Sequence, residues 1–232
     1  MKLSMIMPVY NEAATLEKIL NKVLAVGAVT ELVVVDDGST DDSLKIAKKF
    51  KRNLSKKDRK RLKIFSKENE GKGSAVRYGL EKVSGDYVLI QDADLEYDPQ
   101  DLAPMIKALE KDGVEVVFGS RFLGPHSNLL FWHRVGNLFL NLFINILYDT
   151  TLSDMETCYK LVPTDLMREL NLKANKFDLE PEITCKILKK GINIFEVPIS
   201  YVGRGFEEGK KITWKDGLGA FWTIFKMKLT NN

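Results

Sequence analysis

Cysteine and histidine are scarce: two of each in 232 residues. Cys158 and Cys185 form no CxxC or CxxH pattern, so a zinc site is not expected and the chain is expected to stay reduced in a cytoplasmic compartment. Both cysteines read as packing residues rather than nucleophiles. His126 and His133 stand alone and read as surface or interface residues. The GxxxxGK[ST] pattern of a P-loop is missing. No internal repeat or low-complexity linker appears. The apolar start, Leu3 to Val9, is too short for a signal peptide and runs past Pro8 into polar residues. It reads as a first buried strand.

What is present is the balance of a folded domain: 44% apolar and 29% charged residues, enough chain for a sizeable core. The net charge of +3 hides a segregation. Between Lys48 and Lys67 stand eleven lysines and arginines against Asp58 alone, while the remainder carries 24 basic and 31 acidic residues. Such a run is either a solvated helix and loop or an attraction to an anionic membrane surface. Only Phe50 and Phe65 interleave it, and no recognition motif accompanies it, so nucleic acid is not an expected partner.

The first 120 residues alternate strand and helix. Strands are expected at Leu3–Met7, Glu31–Asp36, Leu62–Ser66, Asp86–Gln91 and Val114–Gly119. Helices are expected at Ala13–Val26, about Asp41–Phe50 with Ser39 or Thr40 as cap, Lys72–Val83, and after Asp98-Pro99. Repeated β-α units predict an α/β fold with a mostly parallel central sheet flanked by helices. Ligands of such sheets gather at the carboxyl ends of strands. Leu129–Tyr148 is mostly apolar but carries His133, Arg134 and a seam of Asn137, Asn141 and Asn145. Burying that seam in hydrocarbon is costly, so a helix lying on the protein or in the membrane interface is preferred over a span. Trp214–Leu229, with Lys215, Lys226 and Lys228, reads either as an amphipathic interfacial helix or as one docked on its own domain.

The strongest chemical signal is Gln91-Asp92-Ala93-Asp94-Leu95-Glu96. In an extended backbone Asp92, Asp94 and Glu96 point the same way and can converge where the strand ends. Carboxylates that close repel unless a cation joins them. Oxygen ligands select Mg²⁺ or Mn²⁺, which is typically completed by substrate phosphates. Pro8 and Tyr10 stand where they can wall a base, and Asp36 or Asp37 can accept from base or ribose, unless Asp37-Gly38-Ser39 is only a turn. Asn69-Glu70-Gly71-Lys72-Gly73-Ser74 precedes a helix, whose amino end and Lys72 suit an anion. Glu180 and Glu182 either line an acceptor groove or cap a helix that Pro181 begins.

In order, MPVYNE, VVVDDGSTDDS, NEGKGSAVRYG, DADLEYDP and GSRF resemble an inverting family 2 glycosyltransferase with the GT-A fold. The chain is similar to the dolichyl-phosphate mannose and glucose synthases and the bacterial polyprenyl-phosphate glycosyltransferases, over essentially its whole length. The resemblance implies one domain, 1–232: a nucleotide-sugar half (1–120), an acceptor half (121–212) and a C-terminal amphipathic helix (213–232). It implies a nucleotide-sugar donor such as GDP-mannose or UDP-glucose, a divalent metal and a polyprenyl phosphate acceptor. Pro8, Tyr10, Glu12 and Asp37 match nucleotide-contacting positions. Asp92 and Asp94 match the metal and diphosphate motif, and Glu96 stands where many members have a metal-binding Gln. Arg121, Arg134 and Arg204 match arginines that hold the acceptor phosphate, with Lys210 and Lys211 as helpers. Asp94 and the three arginines are thus the expected catalytic groups. Asp154, in DMETCYK, is the candidate base if the acceptor is instead a sugar hydroxyl. The membrane spans that end some members are missing, so interfacial helices or a partner subunit are expected to supply contact with the cytoplasmic face of a membrane.

Overall fold

The computed structural model describes residues 1–127, 130–204 and 214–230. Seven strands form one sheet in the order β3-β2-β1-β4-β7-β5-β8: β1 Leu3–Val9, β2 Val29–Asp37, β3 Leu62–Lys67, β4 Tyr87–Ile90, β5 Val116–Ser120, β7 Lys160–Pro163 and β8 Ile194–Pro198. All neighbours are parallel except β7, which runs antiparallel to both β4 and β5. A two-stranded ribbon pairs β6 (His126–Ser127) with β9 (Tyr201–Val202).

The buried runs explain the sheet. In β2 every residue but Thr30 is buried, the signature of a strand covered on both faces. Alternation in β1 sends Leu3, Met5, Met7 and Val9 to one face and Ile6 to the other. The first face packs on α1 (Leu16–Ala25), α2 (Ser43–Asn53) and α5 (Leu102–Ala108). The second packs on α4 (Lys72–Leu80), α7 (Thr164–Glu169) and α8 (Leu179–Lys189). A third cluster joins α8 to α6 (Phe131–Tyr148) and α9 (Trp214–Leu229) through Leu140, Ile144, Cys185, Ala220 and Ile224.

Several expectations shift. α1 begins at Leu16 rather than Ala13. Neither Ser39 nor Thr40 caps α2; Asp42 holds the cap position and Asp41 Oδ1 takes the Ser43 N–H at 2.9 Å. Ser39 and Thr40 instead bond Asn11, which sits at φ 51° beyond β1. Asp98 caps the following turn as expected, accepting from Gln100 N, with Pro99 first in that turn.

The basic run occupies α2, α3 (Lys56–Arg61) and β3. Arg61 donates to the carbonyls of Leu24, Val26 and Val29, which pins α3 to the amino end of β2. The stretch through α3 therefore lies at the end of the sheet opposite the strands' carboxyl termini, while Lys67, last in β3, reaches Asp37 at the carboxyl end.

The asparagine seam has a structural purpose. Asn141 accepts from Met155 N at 2.9 Å, and Asn145 exchanges two bonds with the Leu152 backbone, both 2.9 Å. These two side chains fasten the segment before β7 onto α6, so they are not lipid-facing amides, while Asn137 donates to His133 O within the helix at 2.8 Å. Among the described residues no helix is long and apolar enough to cross a membrane.

Candidate active site

The strand order reverses beside β1: β2 lies on one side and β4 on the other. Such a switch point opens a crevice at the carboxyl ends. A cavity of about 1290 Å³ lies there, large enough for a nucleotide-sized ligand. Four parallel strands deliver residues to it: Pro8, Tyr10 and Glu12 after or within β1, Asp37 from β2, Asp92, Asp94 and Glu96 after β4, and Arg121 after β5. The segment entering antiparallel β7 adds Glu156 and Cys158, and α4 adds Lys72 at its first position. Arg134 of α6 and Arg204 beyond β9 add two further cations, and Lys176, Glu180 and Asp216 also line the cavity. Trp132, Phe139, Leu218 and Phe221 make the far wall apolar. All the expected site residues except Lys210 and Lys211 meet in this one cavity; those two lie outside the described residues.

The expected convergence of three carboxylates is not what forms. Beyond Ile90 the backbone leaves the extended conformation, and Leu95 adopts φ 66°. Alternation then no longer aligns the side chains. Asp92 pairs with Lys72 at 2.8 Å, and Lys72 also stands 3.3 Å from Glu180. Asp94 receives Arg204 Nη2 at 2.9 Å. Glu96 takes the Tyr201 hydroxyl at 2.6 Å and Arg204 N at 2.8 Å. Arg204 reaches Glu12 at 3.2 Å as well, so one guanidinium stands among three carboxylates. Among the described residues no group of three acidic, His or Cys side chains surrounds a single point as a cage.

The electrostatics still suit a cation. Burial, then the charges of Asp92 and Glu96, push the Asp94 carboxyl up to about 7 despite Arg204. Burial opposes the charge of Lys72, but Asp92 and Glu180 outweigh it and raise its pKa. Two neighbouring carboxylates with oxygen donors fit Mg²⁺ or Mn²⁺, which commonly takes one or two protein carboxylates and leaves the rest of its shell to water and substrate phosphate.

Asp37 is fully engaged. Its oxygens accept Gly71 N at 2.7 Å and Glu70 N at 3.2 Å, and Lys67 lies 3.1 Å away. The glycine-rich loop is thereby tied to β2, and its amides are not all open to an anion. At φ 105°, Gly71 also presses on Asn175: a Cβ there would meet the Asn175 carbonyl at 2.4 Å. Glycine serves close backbone approach at this point.

Arg121 makes a two-pronged pair with Asp154, Nε to Oδ2 and Nη2 to Oδ1, both 2.7 Å, and its backbone N–H adds a third bond at 2.9 Å. Asp154 is wholly buried. Glu180 and Glu182 cap nothing in their own helix. Glu180 pairs with Lys160 at 2.9 Å, and Glu182 accepts the Lys173 and Ala174 amides at 3.0 and 2.7 Å.

Sequence reasoning assigned no role to Lys160 and Glu156. A lysine inside an apolar strand was the available signal. Lys160 is fully buried and donates to Met155 O at 2.8 Å, to Thr157 O, and to Glu180. Glu156 lines the cavity, and its Oε1 is shut off from water with no hydrogen-bond partner. Burial, together with Glu180 and Asp154, pushes its carboxyl up to about 7 against the pull of Lys160 and Arg121. A carboxyl raised on folding binds its proton more tightly in the native state than in the unfolded chain. Its contribution to stability is therefore favourable at low pH and is lost as pH climbs from about 4.5 to about 7. Denaturant titrations of the wild type and Glu156→Gln across that window should diverge, the wild type losing more stability. Parallel curves contradict the assignment.

The model of glycosyl transferase family 2 matches residues 4–170. The UDP-N-acetylglucosamine–dolichyl-phosphate N-acetylglucosaminyltransferase of Methanococcus voltae is 26% identical over 240 residues, covering 97% of this chain and 95% of that protein. Glycosyltransferase AglJ of Haloferax volcanii is 26% identical over 228 residues, covering 97% of this chain and 71% of that one. Glucosyl-3-phosphoglycerate synthase of Mycobacterium tuberculosis, solved with Mn²⁺, UDP and glucosyl-3-phosphoglycerate, superposes with a TM-score of 0.75 at 20% identity, covering 100% of this chain and 81% of that one. The chain thus has a GT-A-like fold, is a glycosyltransferase related to the dolichyl-phosphate sugar transferases, and belongs to glycosyl transferase family 2.

Proposed function

We propose that the enzyme transfers one hexosyl group from a nucleoside diphosphate sugar to a polyprenyl phosphate, with inversion at the anomeric carbon. The observation that carries this reading is the composition of the cavity at the strands' carboxyl ends. Carboxylates stand on one side at the end of β4, arginines 121, 134 and 204 reach it from three other elements, and an apolar wall of α6 and α9 closes it. A neutral sugar acceptor has no use for that many guanidinium groups, whereas a phosphate matches their planar fork.

In this reading Pro8 and Tyr10 hold the base, Lys72 and Asp92 flank the diphosphate, and Asp92 with Asp94 holds the divalent cation. When bound, that cation supplies Lewis-acid stabilisation of charge on the departing diphosphate. Arg204 now covers the same carboxylates, so it is the group that must turn toward the acceptor phosphate. An acceptor phosphate oxygen is already anionic near pH 7. It attacks the anomeric carbon directly, the glycosidic C–O bond breaks, and its electron pair leaves with the diphosphate. No protein base is required, and catalysis comes from alignment and preorganised charge. Asp154 is ill suited to be a base for a sugar hydroxyl: it is buried, does not line the cavity and is spent on Arg121.

The peripheral membrane contact rests on the same helices. Phe131, Trp132, Leu138, Phe139, Leu142 and Ile146 of α6 are exposed, as are Leu218, Trp222 and Leu229 of α9. An apolar face beside the cavity mouth, with Lys226 and Lys228 near its end, suits the headgroup boundary of a cytoplasmic leaflet, or a membrane-anchoring partner. Removing both Trp132 and Trp222 as alanines should lower partition onto anionic lipid vesicles by about tenfold or more. Unchanged sedimentation would count against direct membrane contact.

The function itself is tested by supplying GDP-mannose, UDP-glucose and UDP-N-acetylglucosamine in turn, with Mg²⁺ or Mn²⁺ and a short polyprenyl phosphate. One donor should yield a glycolipid. Transfer only to free sugar hydroxyls would refute the acceptor.

A further inference from the structure

Glu156 is a half-buried residue that lines the cavity, and its Oε1 is closed to water with no hydrogen-bond partner. Six other acids there are visibly engaged: Asp92 by Lys72, Asp94 and Glu12 by Arg204, Glu96 by Tyr201 and Arg204, Asp37 by backbone amides, and Glu180 by Lys160. Lys160, whose charge reaches Glu156, cannot satisfy it. A lysine has three N–H donors, and Lys160 gives them to Met155 O, Thr157 O and Glu180. Buried polar atoms without partners are rare in folded proteins and call for an explanation.

The position of Glu156 supplies one. The sheet order is β4-β7-β5. Asp92 and Asp94 follow β4, Arg121 follows β5, and Glu156 precedes β7, which runs antiparallel between them. Glu156 therefore stands between the group assigned to the donor diphosphate and the group assigned to the acceptor phosphate. In a transfer between two phosphates, what lies between them is the sugar. The loop is also rigid: Asn141, Asn145, Glu196 and Lys160 all bond the backbone between Leu152 and Thr157.

We infer that Glu156 is a sugar-reading residue, whose carboxyl hydrogen-bonds a hydroxyl of the donor's hexose ring and so fixes which hexose is accepted. This rests on the function proposed above and adds the group that recognises the sugar. With its carboxyl near its midpoint at neutral pH, Glu156 can accept from the hydroxyl when ionised or donate to it when protonated. Neither form needs a further partner.

The test compares wild type, Glu156→Ala and Glu156→Gln. Calorimetry with Mn²⁺ and UDP or GDP reads the nucleotide site, and kcat/KM with the accepted nucleotide sugar reads the sugar site. Glu156→Ala should bind the nucleoside diphosphate within about twofold of wild type while kcat/KM falls about tenfold to a hundredfold, the range for one hydrogen bond to a charged group. Glu156→Gln, which keeps an acceptor oxygen, should recover part of the loss. Donors deoxygenated at single ring positions complete a cycle. One of them should lose the same factor in wild type and no further factor in Glu156→Ala. Equal discrimination among the deoxy donors by wild type and Glu156→Ala would overturn the inference, as would a parallel loss of nucleoside diphosphate affinity. A wild type that binds no nucleotide at all would overturn the proposed function and the inference together, and so is told apart from a failure of the inference alone.

Discussion

Asp92→Asn is expected to lower the transfer rate by about 10³-fold at saturating Mg²⁺ or Mn²⁺, with the protein still folded. The substitution keeps the shape and one oxygen, so the contact with Lys72, now 2.8 Å, can persist as a hydrogen bond from the ammonium to a neutral amide oxygen. What disappears is the negative charge beside Asp94 that makes the pair a hard-cation site. Several kcal/mol of charge stabilisation on the departing diphosphate goes with it, and each 1.36 kcal/mol is a factor of ten. The Asp94 carboxyl, held near 7 partly by Asp92, should also ionise more readily in the variant. The measurement is kcat against metal concentration, beside a thermal melt. A rate within about fivefold of wild type would remove Asp92 from the metal site.

Asp154→Ala is expected to act on stability before chemistry. It strips the buried Arg121 guanidinium of both its 2.7 Å contacts and leaves the charge uncompensated in a site where it is only 9% exposed. Removing one partner of a buried pair costs about 3–5 kcal/mol, which denaturant unfolding measures directly. Activity per folded molecule should fall only as far as Arg121 loses its aim. If Asp154 were instead a general base for a hydroxyl acceptor, Asp154→Asn would abolish turnover, and adding a phosphate acceptor would not restore it. The two accounts therefore separate on the pairing of stability with acceptor type.

The first half of the chain was readable because its signals are local. LVVV in β2, the apolar spacing of α1 and the Asp98-Pro99 start each depend on neighbours along the sequence, and each formed within a few residues of its expected place. The carboxyl-end residues of β1, β2 and β4 were readable for the same reason, since each follows a buried strand. What local pattern could not show is how charges share partners across the sheet. The convergence of Asp92, Asp94 and Glu96 assumed that extended backbone continues past Ile90; the turn at Leu95 redirects them. Arg204 was expected on a phosphate, and it stands on carboxylates more than a hundred residues away in sequence. Antiparallel β7, which begins with the buried Lys160 and is preceded by the cavity-lining Glu156, has no local signature beyond one lysine in an apolar run. The asparagines of α6 looked like an obstacle to burial in a membrane, and two of them, Asn141 and Asn145, serve instead as clamps on the loop that carries Asp154 and Glu156.

The central claim is that a divalent cation and a diphosphate share the carboxylates at the end of β4. Crystals of the protein grown or soaked with Mn²⁺ and UDP or GDP test it most directly. The account predicts anomalous density for manganese against Asp94, the diphosphate beside Lys72, and Arg204 moved off the carboxylate it now pairs with. A nucleotide seated in the cavity with Arg204 still on Asp94, and no manganese between protein and phosphate, would contradict it.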